Sequence, residues 1–410
     1  MELRFHDGGG LMPLNNRGGI EPVEYRGFRG IRNTVSAERF GPEDLEAAVN
    51  MDIDDTGRTS RRNGSVSVLA TAGAHSLWAE GDLAVFVQGT SFKRLAANYV
   101  ASTLRTVTSG ARMAYTSVIG RLFYSNGIEN GVVEDGVSRT WGLVPPTGVG
   151  IATATPGGLL AAGRYQWTMT YLRDDLQESG TLIAGVITLA DNDGIAFSAL
   201  PVSSDPGVVA KMIYLTPTNG DTFYEALVLD NADTTATYMN DGTELTRPLD
   251  TQFCQNPPAG QCVAYFRGQT LVAKGSVLYA SLPYGYELFD LRKNFDFESE
   301  ITLLAPVEGG LFVCTQTHNI FLQGLTPDDW QQQVKTAVGA IPGTLVYAEG
   351  KDIGEGVPGV VALWLSQSGI CMGTNDGGFN VLTDERLHTN IARSSGASVV
   401  IGGRVISTAE

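Results

Sequence analysis

Four histidines and four cysteines are all that 410 residues provide of the side chains that most often ligate transition metals or form nucleophile and base pairs. The cysteines, Cys254, Cys262, Cys314 and Cys371, stand apart in apolar surroundings without the close pairs of a zinc site. The sequence therefore predicts buried free thiols of a reducing cytoplasm, and neither metal nor cofactor. The histidines, His6, His75, His318 and His388, fall in no local signature of nucleophilic catalysis, and His318 in CTQTHNIF reads as a turn residue. A glycine-rich phosphate loop is missing, because Gly8 to Gly10 are not followed by lysine. The Ser-x-Asp-x-Gly-x-Thr-Trp turn of sialidase-like propellers is missing as well. A carboxylate pair for glycoside cleavage is a spatial arrangement that spacing does not test. These absences lead to the expectation of a chain that is not an enzyme.

Charge is also sparse and one-sided. Charged residues are 18% of the chain and the formal net charge is -16, which disfavours general binding to nucleic acid or acidic membranes. No apolar run is long enough to span a bilayer, and MELRFHDGGG lacks a basic segment followed by an apolar one. The expectation is a chain with no export signal and no membrane insertion.

Glycine is what the chain has in excess. Its 50 glycines follow no collagen period and sit between short apolar runs, as turn punctuation does. One unit recurs: an apolar strand, a turn with glycine, an alternating strand, a second turn and a third strand. It appears in SLWAEGDLAVFVQGTSFKRL from Ser76, RMAYTSVIGRLFYSNGIENGVV from Arg112 and CVAYFRGQTLVAKGSVLYASL from Cys262. It returns in ITLLAPVEGGLFVCTQTHNIFLQG from Ile301 and VVALWLSQSGICMGTNDGGFNVL from Val360. The turn glycines Gly81, Gly120, Gly268, Gly309 and Gly369 are spaced by about 40 residues, except for a last gap of about 60 and a gap of about 148 after Gly120. Removing Pro145 to Asp250 as an insertion brings the longest gap to about 42, within the period of a propeller blade.

A three- or four-stranded meander cannot bury both faces alone, so such units must pack against one another. The fold class expected is all-β: a β-propeller of about six blades with an inserted fibronectin type III-like β-sandwich. Five blades are clear, and SVVIGGRVIST with strands such as Gly64 to Thr71 would close a composite sixth. The competing architecture is a plain sandwich with accidental periodicity. The insertion alternates through GRYQWTMTYLRDD, AGVITLADNDG, AKMIYLTPTNG and TFYEALVLD, with Trp167, Met169 and Tyr171 on one strand face and Ile213 and Tyr214 in a middle strand. It reads as a spacer or docking module. The expected divisions are an extended arm over 1–63, a first propeller part over 64–144, the sandwich over 145–250, and a second propeller part over 251–410 with closing strands.

The most site-like run is NMDIDDTGRTSRRNG. It begins like a calcium loop at Asp52, Asp54, Thr56 and Gly57, but Asn63 stands where the bidentate acid belongs, so an acidic turn pairing with arginines is expected. DNDG at Asp191, NDG at Asn240 and NDGG at Asn375 read as hairpin turns. The first 63 residues carry arginine and no lysine. Arginine suits persistent carboxylate pairs, which makes Arg17, Arg26, Arg29, Arg32, Arg58, Arg61 and Arg62 the interface candidates of an arm lying on a partner. A leader strand bound to its own surface is the competing reading. GPEDLEAAVN has the acids of a short helix start.

The leader GGIEPVEYRGFRGIRN, the turn NMDIDDTGRTSRRNG, LFYSNG, and VLYASLPYGYELFDLRKNFDFESEITLLAPVEGGLFVCTQTHNIFLQG together resemble tail proteins of tailed bacteriophages, in particular the β-propeller nozzle or hub proteins of short tails. The resemblance covers Ile20 to Trp141 and Cys262 to Leu387. It implies a virion component, made in the host bacterial cytoplasm, that forms a six-fold ring of identical subunits. That ring would extend the DNA-ejection channel and dock adaptor and fibre or spike proteins. DNA would pass without sequence-specific binding, which the negative charge suits. The alternative from another class is a propeller that binds or cleaves host-surface glycans.

Overall fold

The computed structural model describes residues 27–409 apart from 55, 65, 68, 70, 71, 109, 354, 355, 388–394, 402 and 403. The chain is an all-β protein of the propeller type. Helix among the described residues is limited to Gly350–Ile353 and two single 3-10 turns, Ala37–Arg39 and Pro327–Asp329. Two compact units divide it, Ala72–Leu304 and Met1–Thr71 with Ala305–Glu410.

Within Ala72–Leu304 lie three antiparallel meanders whose four strands pair in chain order. The first is Ala74–Glu80, Leu83–Gln88, Ser91–Leu95 and Ala101–Thr106; the second is Ala114–Val118, Arg121–Ser125, Asn130–Glu134 and Val137–Arg139. The third is Cys262–Phe266, Gln269–Lys274, Val277–Leu282 and Gly285–Asp296. Side chains alternate between sheet faces with a period of two. Leu122, Tyr124 and Val133 of the second meander accordingly pack with Val85, Val87 and Phe92 of the first. Their neighbours Phe123 and Val132 face the other way, onto Trp141, Val263, Val272 and Phe289. A sheet buried on both faces by its neighbours is what blade-on-blade packing demands of apolar runs such as LFY.

The unit Met1–Thr71 with Ala305–Glu410 holds two more such meanders. The fourth is Ile301–Val307, Gly310–Thr315, Asn319–Gln323 and Gln331–Thr336, and the unit boundary falls inside its first strand. The fifth is Val346–Glu349, Val360–Ser366, Gly369–Gly373 and Phe379–Val381. Phe312 of the fourth meets Trp364 of the fifth with ring centroids 5.4 Å apart. Among the described residues the unit also holds two ribbons, Met51–Ile53 with Thr59–Arg61 and Gly396–Ile401 with Arg404–Ala409. Val400 and Val405 of the second pack on Val361 and Leu363. Gly64, Val66, Ser67 and Leu69 lie in no strand, and the rest of the stretch expected to complete a sixth blade is outside the described residues.

The frame of the fifth repeat needs correcting. Gly81, Gly120, Gly268 and Gly309 all lie between first and second strands, whereas Gly369 opens the third strand, at the turn that follows the second. The first strand is Val346–Glu349, separated from the second by a loop carrying the short helix, which explains the long last gap. GPEDLEAAVN is not helical either. Asp44 turns its carboxylate back onto the Gly41 N–H at 3.2 Å, and Leu45 bridges to Ile31 instead of starting a helix.

Between the second and third meanders, Ile151–Leu160, Asp193–Ser198 and Ala236–Tyr238 form one sheet. Gly185–Leu189, Gly163–Arg173, Val208–Leu215 and Tyr224–Asp230 form another. The two share a core of Tyr165, Trp167, Met169, Tyr171, Ile195, Phe197, Ile213 and Leu215, making a β-sandwich without a disulfide. The alternation read from GRYQWTMTYLRDD is the alternation observed.

Candidate functional site

The most heavily built polar feature lies where the sandwich meets the second and third meanders. The inward series Tyr165, Trp167, Met169 and Tyr171 ends at Arg173, which is 1% exposed. A buried guanidinium is tolerable only when its donors are met. Arg173 donates Nε to both oxygens of Asp175 at 3.0 and 2.9 Å, and Nη1 to the Thr140 carbonyl at 3.2 Å. Nη2 reaches Asp175 at 2.7 Å and Glu287, itself 1% exposed, at 2.9 Å.

Glu287, on the last strand of the third meander, also accepts from Arg121 of the second meander and from the Gly142 N–H at 3.0 Å. Gly142 is in the left-handed region at φ +75°, and a Cβ there would stand 2.6 Å from the Glu287 carbonyl oxygen. Only glycine lets the linker pass so close. Burial pushes the Asp175 carboxyl up, but the hydrogen bonds from Arg173 and the Gln177 N–H hold it below its ordinary value. The cluster thus joins two meanders, the linker and the sandwich through charges that serve each other.

Beside this joint runs a groove of about 690 Å³, lined among others by Arg105, Val137, Arg139, Val144, Ser204 and Asp205. Arg139 pairs with Asp174, and Asp205 accepts from Thr140 Oγ1 at 3.0 Å. Arg105 differs: Nη1 makes two long hydrogen bonds to neutral acceptors, Tyr124 Oη and the Asn130 carbonyl, each 3.3 Å. It forms no ion pair among the described residues.

At the end of the third meander, three tyrosines gather. Tyr265 and Tyr286 meet edge to face at 6.1 Å, and Tyr284, 79% exposed, sits in a tight turn at φ 58° with its N–H on the Gly268 carbonyl at 2.7 Å.

The arginines expected to hold a partner turn largely to their own unit. Arg17 and Arg26 lie outside the described residues. Arg29 pairs with Glu43 at 2.7 Å and Arg32 with Asp44 at 3.2 Å. Asp44 also receives Arg386 at 3.4 Å, and the Asn33 N–H reaches the Arg386 carbonyl at 2.8 Å, so the leader from Phe28 to Leu45 is stitched down. Arg62 shares Asp52 with Arg404, at 3.1 and 2.9 Å. Arg58 and Arg61 are exposed.

In the calcium-like run, Asp54 Oδ1 accepts from the Thr56 N–H, the Thr56 hydroxyl and the Arg58 N–H, at 2.9, 2.6 and 2.9 Å, closing its own turn. His318 sits in the Thr315–Asn319 turn, its backbone N–H on Thr315 Oγ1 at 3.0 Å. His75 is half-buried with Nδ1 2.9 Å from Ser76 Oγ, while His6 and His388 lie outside the described residues. All four cysteines are buried and none forms a disulfide. Sequence reading passed over Arg105, Arg121, Arg139, Arg173 and Glu287, although Arg173 continues the inward period of its strand.

No family model matches the chain, and no curated protein does. Among solved structures it is similar to BBS1N in complex with ARL6DN, at 10% identity and a TM-score of 0.34 over 83% of this chain and 89% of that one. The N-terminal domain of Nup159 aligns at 8% identity and a TM-score of 0.28 over 82% and 72% of the two chains. The AfRom2 CNH domain aligns at 9% identity and a TM-score of 0.23 over 78% and 94%.

Proposed function

We propose that this chain is a non-enzymatic structural protein of a phage tail. It assembles with copies of itself into a nozzle or hub ring, extends the DNA-ejection channel, and docks adaptor and fibre or spike proteins. The observation that carries the non-enzymatic part is the use of the buried charges. Arg121 and Arg173 are balanced by Glu287 and Asp175 across the sandwich and two meanders, fixing the modules as a spacer must be fixed. The tail location and six-fold ring rest on the sequence resemblance. Mass measurement of the purified chain and imaging of particles test the reading. A ring of identical subunits is expected, and a monomer at every concentration overturns it.

The second reading is a glycan-binding propeller, and the tyrosine cluster favours it. Exposed, rigidly held aromatic rings suit the apolar face of a sugar as well as a protein hot spot. Loss of glycan retention on Tyr284→Ala, with assembly intact, would select it.

A further inference from the structure

We propose that the groove beside the ionic joint is a docking slot for the Leu325–Asp329 turn of a second copy of this chain. The inference rests on the assembly reading and deepens it by naming the contact.

The slot offers an unmet charge. Arg105 is half-buried and bonded only to neutral acceptors, and its Nε and Nη2 donate to nothing among the described residues. A partly desolvated guanidinium without a counter-ion is completed by a carboxylate, and its planar fork binds one bidentately. Arg139 stands on the same wall, with Val137 and Val144 exposed beside it. Val137–Arg139 is also the outermost strand of its meander, so alternate backbone groups along the groove are unpaired within the sheet. The complement is an acidic turn with an aliphatic neighbour.

A chain of net charge -16 has many acids, but few are adjacent and unpaired. Glu43–Asp44, Glu134–Asp135 and Asp174–Asp175 each place at least one carboxylate on arginine, Asp384 beside Glu385 has a partner of its own, and Asp55 beside Asp54 lies outside the described residues. Asp328 and Asp329 are both exposed and make no ion pair among the described residues. Leu325 beside them is 61% exposed. The turn is held in shape by Pro327, by the Thr326 hydroxyl on Asp329 Oδ2 at 2.9 Å, and by the buried Trp330 that follows. A knob already ordered loses little freedom on docking. Knob and slot are different patches, so the contact is heterologous and generates a ring where the rotation closes.

Sedimentation velocity on the full chain at low and high salt tests this, with Arg105→Glu, Asp328→Arg/Asp329→Arg and the combined variant. Each reversal is expected to raise the dissociation constant at least about tenfold, and the combination to restore assembly. Arg105→Gln, which removes charge without adding repulsion, gives a smaller shift and serves if Arg105→Glu does not fold. Wild-type rings unaffected by either reversal overturn the slot and leave the assembly reading standing. Loss of assembly in Arg105→Glu but not in Asp328→Arg/Asp329→Arg overturns this turn as occupant, in favour of another acidic segment or partner. A wild-type monomer at all concentrations overturns both readings.

Discussion

Arg173 of the sandwich donates to Glu287 of the third meander at 2.9 Å, and each is 1% exposed. Breaking a buried pair from one side leaves a charge in low dielectric, which costs about 3–5 kcal/mol. Glu287→Gln should therefore destabilise more than Glu287→Gln combined with Arg173→Met and Arg121→Met. Chemical denaturation of the three backgrounds checks this. Equal losses in the single and combined variants would mean that water relieves the cluster.

The two ends of that pair differ in how far the sequence announces them. Arg173 stands at the inward phase of an alternating strand, and reading the period one step further predicts a buried arginine needing carboxylates. Glu287 sits at a buried position within the alternating GYELFDL, but nothing local ties it to Arg173, 114 positions away. The meanders were legible because apolar strands and glycine turns are local signals. The frame of the fifth was not, because its first strand is followed by a loop instead of a tight glycine turn. The leader arginines were legible as carboxylate binders, but whether the carboxylate is Asp44 of the same chain or a partner's is tertiary information.

Asp44 gives a pH dependence with a definite sign. Burial pushes its carboxyl up, and the Arg32 hydrogen bond, the Gly41 N–H and the charges of Arg32 and Arg386 outweigh burial and hold it below its ordinary 3.8. A carboxyl whose folded value is depressed contributes stability that is fully present above the unfolded value and is lost as pH falls through the folded one. The stability advantage of wild type over Asp44→Asn should be constant above about pH 5 and shrink below 3.8. Denaturant midpoints across that range measure it, and a difference independent of pH would detach Asp44 from the acid limb.

The thiols should be silent in the native protein. Burial pushes Cys254 and Cys371 up to about 11 and Cys262 up to about 12, and Cys314 is fully buried. The thiolate is the reactive form, so burial denies access to all four thiols and ionisation to Cys254, Cys262 and Cys371. A colorimetric disulfide reagent at about pH 8 is expected to find no fast-reacting thiol before unfolding and four after it. A thiol that reacts at once in the native state would mark a local opening of the meander that carries it.

Tyr284 is held where a bulky residue is costly. A left-handed backbone costs a non-glycine residue about 1–2 kcal/mol, and at φ 58° Tyr284 meets that condition. Its ring is 79% exposed and recovers little by burial, although it leans over Gly268, where an added Cβ would stand 3.1 Å from it. Tyr284→Gly removes the strain and adds about 0.5–1 kcal/mol of chain entropy in the unfolded state, so the terms nearly cancel. Stability within about 1 kcal/mol of wild type is expected from denaturation, with the Leu282–Gly285 turn intact. That outcome would leave binding, of a sugar or another chain, as the reason a tyrosine occupies the turn. A loss above about 2 kcal/mol would instead assign the ring to packing over Gly268 and remove the cluster as support for the glycan reading.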